Sequence, residues 1–209
     1  MDALKVLIRI TSKTAPGLSP EYSEAHVLIV LQLIGSSRGI GRQKLSKEIG
    51  VGEGTVRTLI RRLTREGLVE SSRRGLTLTN LGREALADLL RFIEETELTN
   101  TEVTVGTHDY AVLVKQAANH IKSGVEQRDV ALLAGAKGAT TLMYDGERLY
   151  MPGIGLEPEK STSKYLIERL KPENGDVIII GSSDTIISAE IGAKSVALNL
   201  IKEINQQSR

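Results

Sequence analysis

The sequence predicts an α+β protein in two parts, a helical domain closed by a β-hairpin over residues 1–96 and a small α/β sandwich-like domain over residues 97–209. Apolar residues recur at helical spacing in the first part, whereas short apolar strands alternate with helices in the second. The charge divides in the same way: residues 38–91 hold twelve Lys or Arg and six Asp or Glu, and residues 101–209 hold twelve and fourteen. A basic domain beside a non-basic one predicts polyanion binding in the first domain only.

The composition is that of an ordinary globular chain, with 40% hydrophobic and 25% charged residues. The absence of Cys excludes a disulfide scaffold, a thiolate metal site and a Cys nucleophile, and it fits a reducing compartment. Only three His are present, and no metal-ligand motif accompanies them, so we expect no metal and no cofactor. With no membrane-length apolar run and no targeting segment, we expect a cytoplasmic protein without a membrane partner.

Three helices are predicted within residues 21–66 of the first domain. After the stretch from Pro16 to Pro20, apolar residues at helical spacing predict a helix over Glu21–Ile34, which Gly35 ends. A short helix over Arg42–Ile49 follows. Gly50, Val51 and Gly52 then make a tight turn into a third helix over Glu53–Glu66, because small residues are needed where two helices meet steeply.

The third helix divides into two faces. Val56, Leu59, Ile60 and Leu63 lie on one arc and predict a docking face. The other side carries Thr55, Arg57, Thr58, Arg61, Arg62 and Arg65. Arg is the side chain best suited to bidentate contacts with guanine, and it also pairs with phosphate. A solvated Arg-rich face is the alternative interpretation of this helix taken alone.

The residues after Gly67 favour the first interpretation, because they predict a hairpin beside this helix. Strands are expected at residues 68–72 and 76–79, with Arg73 and Arg74 at the tip, where they would reach a phosphate backbone or minor groove. Asn80 is expected to cap a further helix that runs to Ile93. The predicted DNA contacts are Arg42, Gln43, Lys44, Thr55, Arg57, Thr58, Arg61, Arg62, Arg65, Arg73 and Arg74.

Three segments carry a resemblance to known regulators. Residues 50–57, 63–69 and 78–82 resemble the turn, recognition-helix end, wing and post-wing helix of winged helix-turn-helix regulators of the GntR, IclR and MarR types. The resemblance implies a winged helix-turn-helix that binds double-stranded DNA in a transcription regulator. Gly52 departs from this pattern, because it stands where these regulators usually have a Ser N-cap, so one phosphate-facing hydroxyl is missing.

The second domain is predicted to have the order β-α-β-β-β-α-β-α. Asp145 and Gly146 mark a hairpin turn between its third and fourth strands in that order. The expected strands are residues 101–105, 130–133, 142–144, 148–150 and 176–180, and the expected helices are residues 110–121, 163–170 and 185–204.

Three predicted loops of this domain are candidates for binding a small anion. Residues 181–184 precede a helix N-terminus, residues 135–141 are Gly-rich with one Lys, and residues 107–109 place a His beside a carboxylate. Ordinary helix capping and core packing explain each of them as well. The candidate ligand-binding residues are Thr107, His108, Asp109, Arg128, Lys137, Thr140, Ser182, Ser183 and Asp184.

A second resemblance covers most of residues 100–205. Residues 106–110, 127–129 and 135–141 resemble an archaeal domain found C-terminal to winged helices, which implies a regulator architecture but no ligand. We therefore expect a regulator whose second domain senses a small anionic metabolite or mediates dimerisation. An enzyme is disfavoured, because a Ser nucleophile would have only His108 as a local base.

A pure oligomerisation domain is the other alternative, and the long apolar helix at residues 185–204 favours it equally. A homodimer is expected in any case, because two-fold proteins commonly read palindromic operators. The helices at residues 21–34 and after Asn80 are the expected contacts.

Overall fold

The computed structural model describes residues 2–12, 20–98 and 101–207 and divides into two compact units, residues 1–91 and 92–209. The division lies five residues before the predicted boundary at 96/97. The reason is that Ile93–Leu98 forms a strand of the second unit and does not continue the preceding helix. Most of the predicted Pro16–Pro20 stretch, and Asn100 near the predicted start of the second domain, lie outside the described residues.

The first unit contains five helices and one hairpin among its described residues. The helices are α1 (Ala3–Thr11), α2 (Glu24–Ser36), α3 (Arg42–Ile49), α4 (Glu53–Arg65) and α5 (Asn80–Leu90), and the strands are β1 (Val69–Ser72) and β2 (Gly75–Leu78). The predicted helices and hairpin of this part are therefore present, within a few residues of their expected ends.

Two helix ends of the first unit differ from prediction. Gly35 lies inside α2, which ends only at Ser36. Thr79, and not Asn80, is the N-cap of α5, because its hydroxyl accepts a hydrogen bond from the Gly82 amide. A second bond ties this cap to the turn between α4 and β1, since the Thr79 hydroxyl donates to the Gly67 carbonyl at 2.6 Å.

The core of the first unit forms around α2. Val27, Leu28, Val30 and Leu31 of this helix are fully buried, and α1, α3 and α5 all pack on it. The hairpin is held to the helices by an isolated antiparallel bridge between Ile40, just before α3, and Leu76 of β2. Burial of these side chains on several sides fixes α3, α4 and the hairpin relative to one another.

The second unit is an antiparallel sheet between layers of helices. Its strands are β3 (Ile93–Leu98), β4 (His108–Val114), β5 (Gly138–Tyr144), β6 (Leu149–Tyr150) and β7 (Val177–Ser183), in the sheet order β3-β4-β7-β5-β6. Its helices are α6 (Val125–Leu133), α7 (Lys160–Leu170) and α8 (Ile186–Gln207), with a single 3-10 turn at Ala118–His120. Leu166 and Leu170 of α7 share the apolar core of one sheet face with Leu113, Ile178 and Ile180, and α6 and α8 pack on the strands elsewhere.

Three predicted elements of the second unit are wrong. Residues 101–105 form turns and bends where a strand was expected. The expected helix at 110–121 is absent, because residues 110–114 belong to strand β4 and residues 118–120 form the 3-10 turn. The expected strand at 130–133 belongs to α6. Residues 110–114 of β4 are all buried, so side chains on both faces of the strand are apolar and the sequence shows no strand alternation. The observed order is β-β-α-β-β-α-β-α, with the 3-10 turn after β4.

The last helix packs inside its own unit. Ile191, Val196, Leu198, Leu200 and Ile201 are all buried. A Cβ added to Gly181 of β7 would lie 2.2 Å from the Ala189 carbonyl oxygen, so helix and strand approach backbone to backbone.

Within residues 2–12, 20–98 and 101–207, no helix is both long and apolar enough to cross a membrane.

Candidate nucleic-acid interface

Helix α4 has a buried face and an exposed basic face. Val56, Leu59, Ile60 and Leu63 have at most 7% of their surface exposed. Arg57, Arg61 and Arg65 are exposed, four residues apart, so one row of guanidiniums runs along the solvent side of the helix. Thr58 is half-buried and its hydroxyl donates to the Gly54 carbonyl, so it lies at the edge of this row.

The first turn of α4 presents bare backbone. Gly52 is the N-cap with φ −62°, an ordinary value for any residue, and no side chain caps the helix. A Cβ added to Gly52 or Gly54 would meet nothing within 4 Å, so neither glycine is required by packing inside the unit. Free amide groups and the positive end of the helix dipole make such a turn attractive to anions.

Two predicted contacts on α4 point into the unit instead. Arg62 donates through Nη1 to the carbonyls of Ile10 (2.6 Å) and Ser12 (2.8 Å), and its guanidinium lies 5.9 Å from the centre of the Tyr22 ring. The Thr55 hydroxyl donates to Glu21 at 2.9 Å. At 100° per residue both positions flank the buried face, which explains why they reach α1 and the segment before α2.

Tyr22 completes this internal contact. Burial raises the pKa of its phenol, and the nearby Arg62 only partly opposes that shift. Its hydroxyl donates to the Ile10 carbonyl at 3.2 Å, the same oxygen that Arg62 uses. Arg62 therefore joins α4 to the end of α1.

The remaining predicted contacts are exposed. Arg42, Gln43 and Lys44 occupy the first turn of α3, and Arg73 and Arg74 occupy the hairpin tip. The tip is anchored by its backbone, because the Arg74 amide donates to the Ser72 hydroxyl. Gly39 has φ +131°, and a Cβ there would lie 2.2 Å from the Arg74 carbonyl oxygen, so only glycine lets the tip pack on the loop before α3.

Sequence reasoning missed two residues of this region. Arg38 is exposed and directly precedes Gly39, so it adds a cation beside the hairpin tip. Gly54 lies in the first turn of the basic face. The signal for Arg38 was its position next to a glycine between two helices, and the signal for Gly54 was a glycine inside a helix with no packing reason.

The candidate ligand residues of the second unit gather at one end of its sheet, apart from Arg128. His108 of β4 pairs with Ser183 of β7, and Asp109 pairs with Ser182. Ser182 and Ser183 thus belong to a central strand and not to a loop. Arg128 lies on α6, where its guanidinium contacts Asp129 at 3.4 Å.

Most of these side chains already have partners within the unit. The buried Asp109 carboxylate accepts from the Thr104 hydroxyl at 2.7 Å and the Thr101 amide at 3.0 Å. Ser182 accepts from the Gly106 amide at 2.7 Å, and the Thr140 hydroxyl donates to the Val103 carbonyl at 2.6 Å. These bonds hold residues 101–106 on the sheet, so anchoring of that segment accounts for them.

The exposed members of the group pair with one another. Lys137 contacts Asp184 at 2.6 Å, and the Thr107 hydroxyl lies 3.1 Å from His108 Nδ1. The N-terminal turn of α8 is capped by Thr185, whose hydroxyl accepts from the Ser188 amide. The predicted Ser and Asp therefore do not cap that helix.

Two family models match the chain, one in each unit. Residues 25–84 match the PH0730-like N-terminal domain, and residues 105–200 match a domain of unknown function, DUF4443. Among curated proteins, the HTH-type transcriptional regulator Ptr1 of Methanocaldococcus jannaschii is 28% identical over 74 residues, which cover 35% of this chain and 50% of that protein. The match thus spans half of that relative, and it supports a transcription-regulator relationship without specifying the GntR, IclR or MarR type.

A solved structure covers both units. The hypothetical protein PH0730 from Pyrococcus horikoshii is 31% identical, with a TM-score of 0.72 over 88% of this chain and 95% of that one. Its mixed α+β fold is the same. Because this similarity extends over nearly all of both chains, the protein belongs to the PH0730-like family.

Proposed function

We propose that the first unit is a winged helix-turn-helix that binds duplex DNA and that the protein is a transcription regulator. The observation that carries this proposal is the row of Arg57, Arg61 and Arg65 on the exposed side of α4, backed by a fully apolar docking face. The order α2-α3-α4 followed by a hairpin bridged to Ile40 supports it, as does the name of the regulator from M. jannaschii.

The contacts divide by chemistry. Helix α4 enters the major groove, where Arg57 and Arg61 read base edges through bidentate hydrogen bonds. The exposed residues of α3 and the hairpin tip, Arg73 and Arg74, bind phosphates and set the position of the helix. Arg62 and Thr55 hold α4 in place through their bonds inside the unit.

The second unit is an effector domain in this proposal, and the protein acts as a homodimer and not as an enzyme. Most apolar residues of α8 are buried within the unit and Ile186 and Ile187 are half-buried, so a purely oligomeric role is the weaker alternative. Two-fold symmetry would place two copies of α4 in successive major grooves, about 34 Å apart.

Alanine replacements along α4 and at the hairpin tip are expected to weaken DNA binding in different ways. Arg57→Ala or Arg61→Ala should weaken binding to the preferred duplex about tenfold or more, because each removes a bidentate base contact worth about 1–3 kcal/mol. The Arg73→Ala/Arg74→Ala variant should weaken binding to all duplexes and lower the salt slope by about two. Fluorescence anisotropy on duplexes selected from a random pool, at several salt concentrations, measures both effects.

Lys164→Ala is the matched control, since it removes an exposed cation from the second unit. A footprint of the selected duplex should show two half-sites if the protein binds as a dimer. Duplex affinity that is unchanged in all the Arg variants, or lost equally in the control, would contradict the proposal.

Gly54→Ala is expected to stabilise the fold and weaken DNA binding. Its Cβ meets nothing within the unit, so alanine should raise the free energy of unfolding by about 0.5–1 kcal/mol. If the DNA backbone approaches this turn closely, the added methyl group should reduce affinity about tenfold. Urea denaturation and anisotropy measure the two quantities. A stabilised variant with wild-type affinity would show that DNA does not approach the turn at Gly54.

A further inference from the structure

A cavity of about 470 Å³ opens in the second unit at the end of the sheet opposite Ser183. It lies where β4 ends, where β7 begins and beside the C-terminus of α7. Lys115, Arg169 and Lys171 bring three cations to its wall from two separate elements. Its volume falls in the range of sites for small molecules.

The acidic groups of the cavity are largely satisfied. Asp176 is 3% exposed and accepts from the backbone amides of Gln116 and Glu173, each at 2.9 Å. Glu94 pairs with Lys115 at 3.6 Å, but both side chains are about half exposed, so this pair is weak. Glu173 also lines the wall.

Arg169 and Lys171 have no such compensation. Within residues 2–12, 20–98 and 101–207, neither side chain forms an ion pair or a hydrogen bond shown by the structure. Lys115 is paired with Glu94, and the lining as a whole holds three cations and three carboxylates. Arg169 and Lys171 nevertheless lie together at the C-terminal end of α7 without a carboxylate partner among the described residues. This part of the cavity wall therefore favours a negatively charged group on the occupant.

The backbone around the cavity is strained. Among the described residues, only two that are not glycine have positive φ, Gln116 (53°) and Lys171 (49°), and both line this cavity. Gln116 is held in place by its side-chain amide, which donates to Asp176 and to the Asn174 carbonyl. Residues fixed in this disfavoured conformation concentrate at binding sites.

The dipole of α7 stabilises cations near its C-terminus, but this explains only part of the positive charge on the cavity wall. Arg169 lies in the last turn of α7, where a cation is ordinarily favourable. Lys171, however, occupies the left-handed C-cap, a conformation that favours Gly or Asn there. Lys115 follows strand β4, so its charge is not stabilised by the dipole of a helix of which it is part.

We propose that this cavity binds a small phosphate-bearing metabolite. The Arg169 guanidinium donates to two phosphate oxygens, Lys171 and Lys115 supply point charges, and Gln116 fixes the wall through Asp176. Its role as the effector site of the regulator rests on the proposed function above. The site lies at the opposite end of the sheet from the loops that the sequence indicated.

The test is an NMR titration of the full-length protein with pyrophosphate at low ionic strength. Saturable shifts are expected at the amides of residues 115–116 and 169–176, and citrate should bind more weakly. The Arg169→Gln/Lys171→Gln variant should bind pyrophosphate at least tenfold more weakly. The control Lys160→Gln/Lys164→Gln removes the same charge from the other turns of α7 and should bind normally. The site would be overturned if the chemical shifts did not saturate or if the shifts appeared at other cations. It would also be overturned if the control variant lost as much affinity for pyrophosphate.

The Lys171→Gly variant separates the effect of Lys171 on ligand binding from its effect on the stability of the fold. Glycine adopts the observed φ without strain, so the variant should melt at a higher temperature while binding pyrophosphate several-fold more weakly. Unchanged affinity would remove Lys171 from the site. Duplex binding without pyrophosphate should be normal in all these variants. A wild-type protein that binds duplex DNA but not pyrophosphate would refute the cavity, whereas a wild-type protein that binds pyrophosphate but not duplex DNA would refute the proposed function.

Discussion

Replacing Lys194 by alanine is expected to lower the free energy of unfolding of the second unit by about 3–5 kcal/mol. Lys194 lies on α8 with none of its side chain exposed, and its ammonium contacts Glu190 on the same helix and Glu95 of β3 at 3.2 Å. The ring of Tyr110 lies 5.4 Å from the same nitrogen. Alanine leaves two largely buried carboxylates without their cation and removes the buried four-carbon stem.

The surroundings of Lys194 explain why the loss should be large. Burial raises the pKa of the Tyr110 phenol, and the charges of Glu95 and Glu190 raise it further, so the phenol stays protonated. In a site of low dielectric, the Lys194 ammonium contacts both of these carboxylates. The cluster also fastens β3, an edge strand of the sheet, to α8.

A set of variants separates charge from packing. Lys194→Met keeps the volume but not the charge, and adding Glu95→Gln and Glu190→Gln to it should recover most of the stability, because no buried charge is then uncompensated. Urea denaturation followed by circular dichroism gives the free energies, with Lys164→Ala as the exposed control. A loss below about 1 kcal/mol for Lys194→Ala would show that water replaces the ammonium.

Most of the first unit could be predicted from sequence because its elements carry their own signals, although helix α1 (Ala3–Thr11) was not predicted. The arc of Val56, Leu59 and Leu63 indicates a helix with one buried side. The glycines at 50 and 67 have positive φ and end α3 and α4 where the sequence places the turns. The Ile40 bridge to the hairpin could not be foreseen, since it depends on tertiary packing.

The second unit was harder to predict from sequence, because a strand that is buried on both faces lacks the alternation of apolar and polar residues. β4 lies between β3 and β7, and its apolar run is buried on both faces, which is indistinguishable from a helix core by pattern alone. The opposite error occurred at α6, where Leu133 is 90% exposed although an apolar run suggested a buried strand. Neither a strand position in a sheet nor an exposed Leu can be deduced from a single sequence.

The two candidate sites differ in the same way. The row on α4 is contiguous in sequence, so its residues could be named in advance. The cavity joins Lys115, Arg169 and Asp176 from three separate segments and has no motif. Arg62 was grouped with its neighbours because its partners, the carbonyls of Ile10 and Ser12, lie 52 and 50 residues away in the chain.

Arg62→Ala is therefore expected to act on stability where Arg61→Ala acts on DNA. Loss of hydrogen bonds from a charged guanidinium to two carbonyls should lower the free energy of unfolding by about 2–3 kcal/mol, since the side chain is partly buried. The folded variant should retain DNA affinity within about threefold, because its neighbours Arg57, Arg61 and Arg65 remain in place. Arg61→Ala should leave the unfolding free energy within about 0.5 kcal/mol of the wild type.

Arg62→Lys sharpens the comparison, since it keeps the charge but cannot hold both carbonyls in the same planar geometry. It should recover only part of the lost stability, and it should bind DNA like the wild type. Urea denaturation and anisotropy on the selected duplex measure each variant at a temperature where all are folded. A stable Arg62→Ala variant that loses as much affinity as Arg61→Ala would place Arg62 on the DNA, and would mean that its bonds to Ile10 and Ser12 break when the duplex binds.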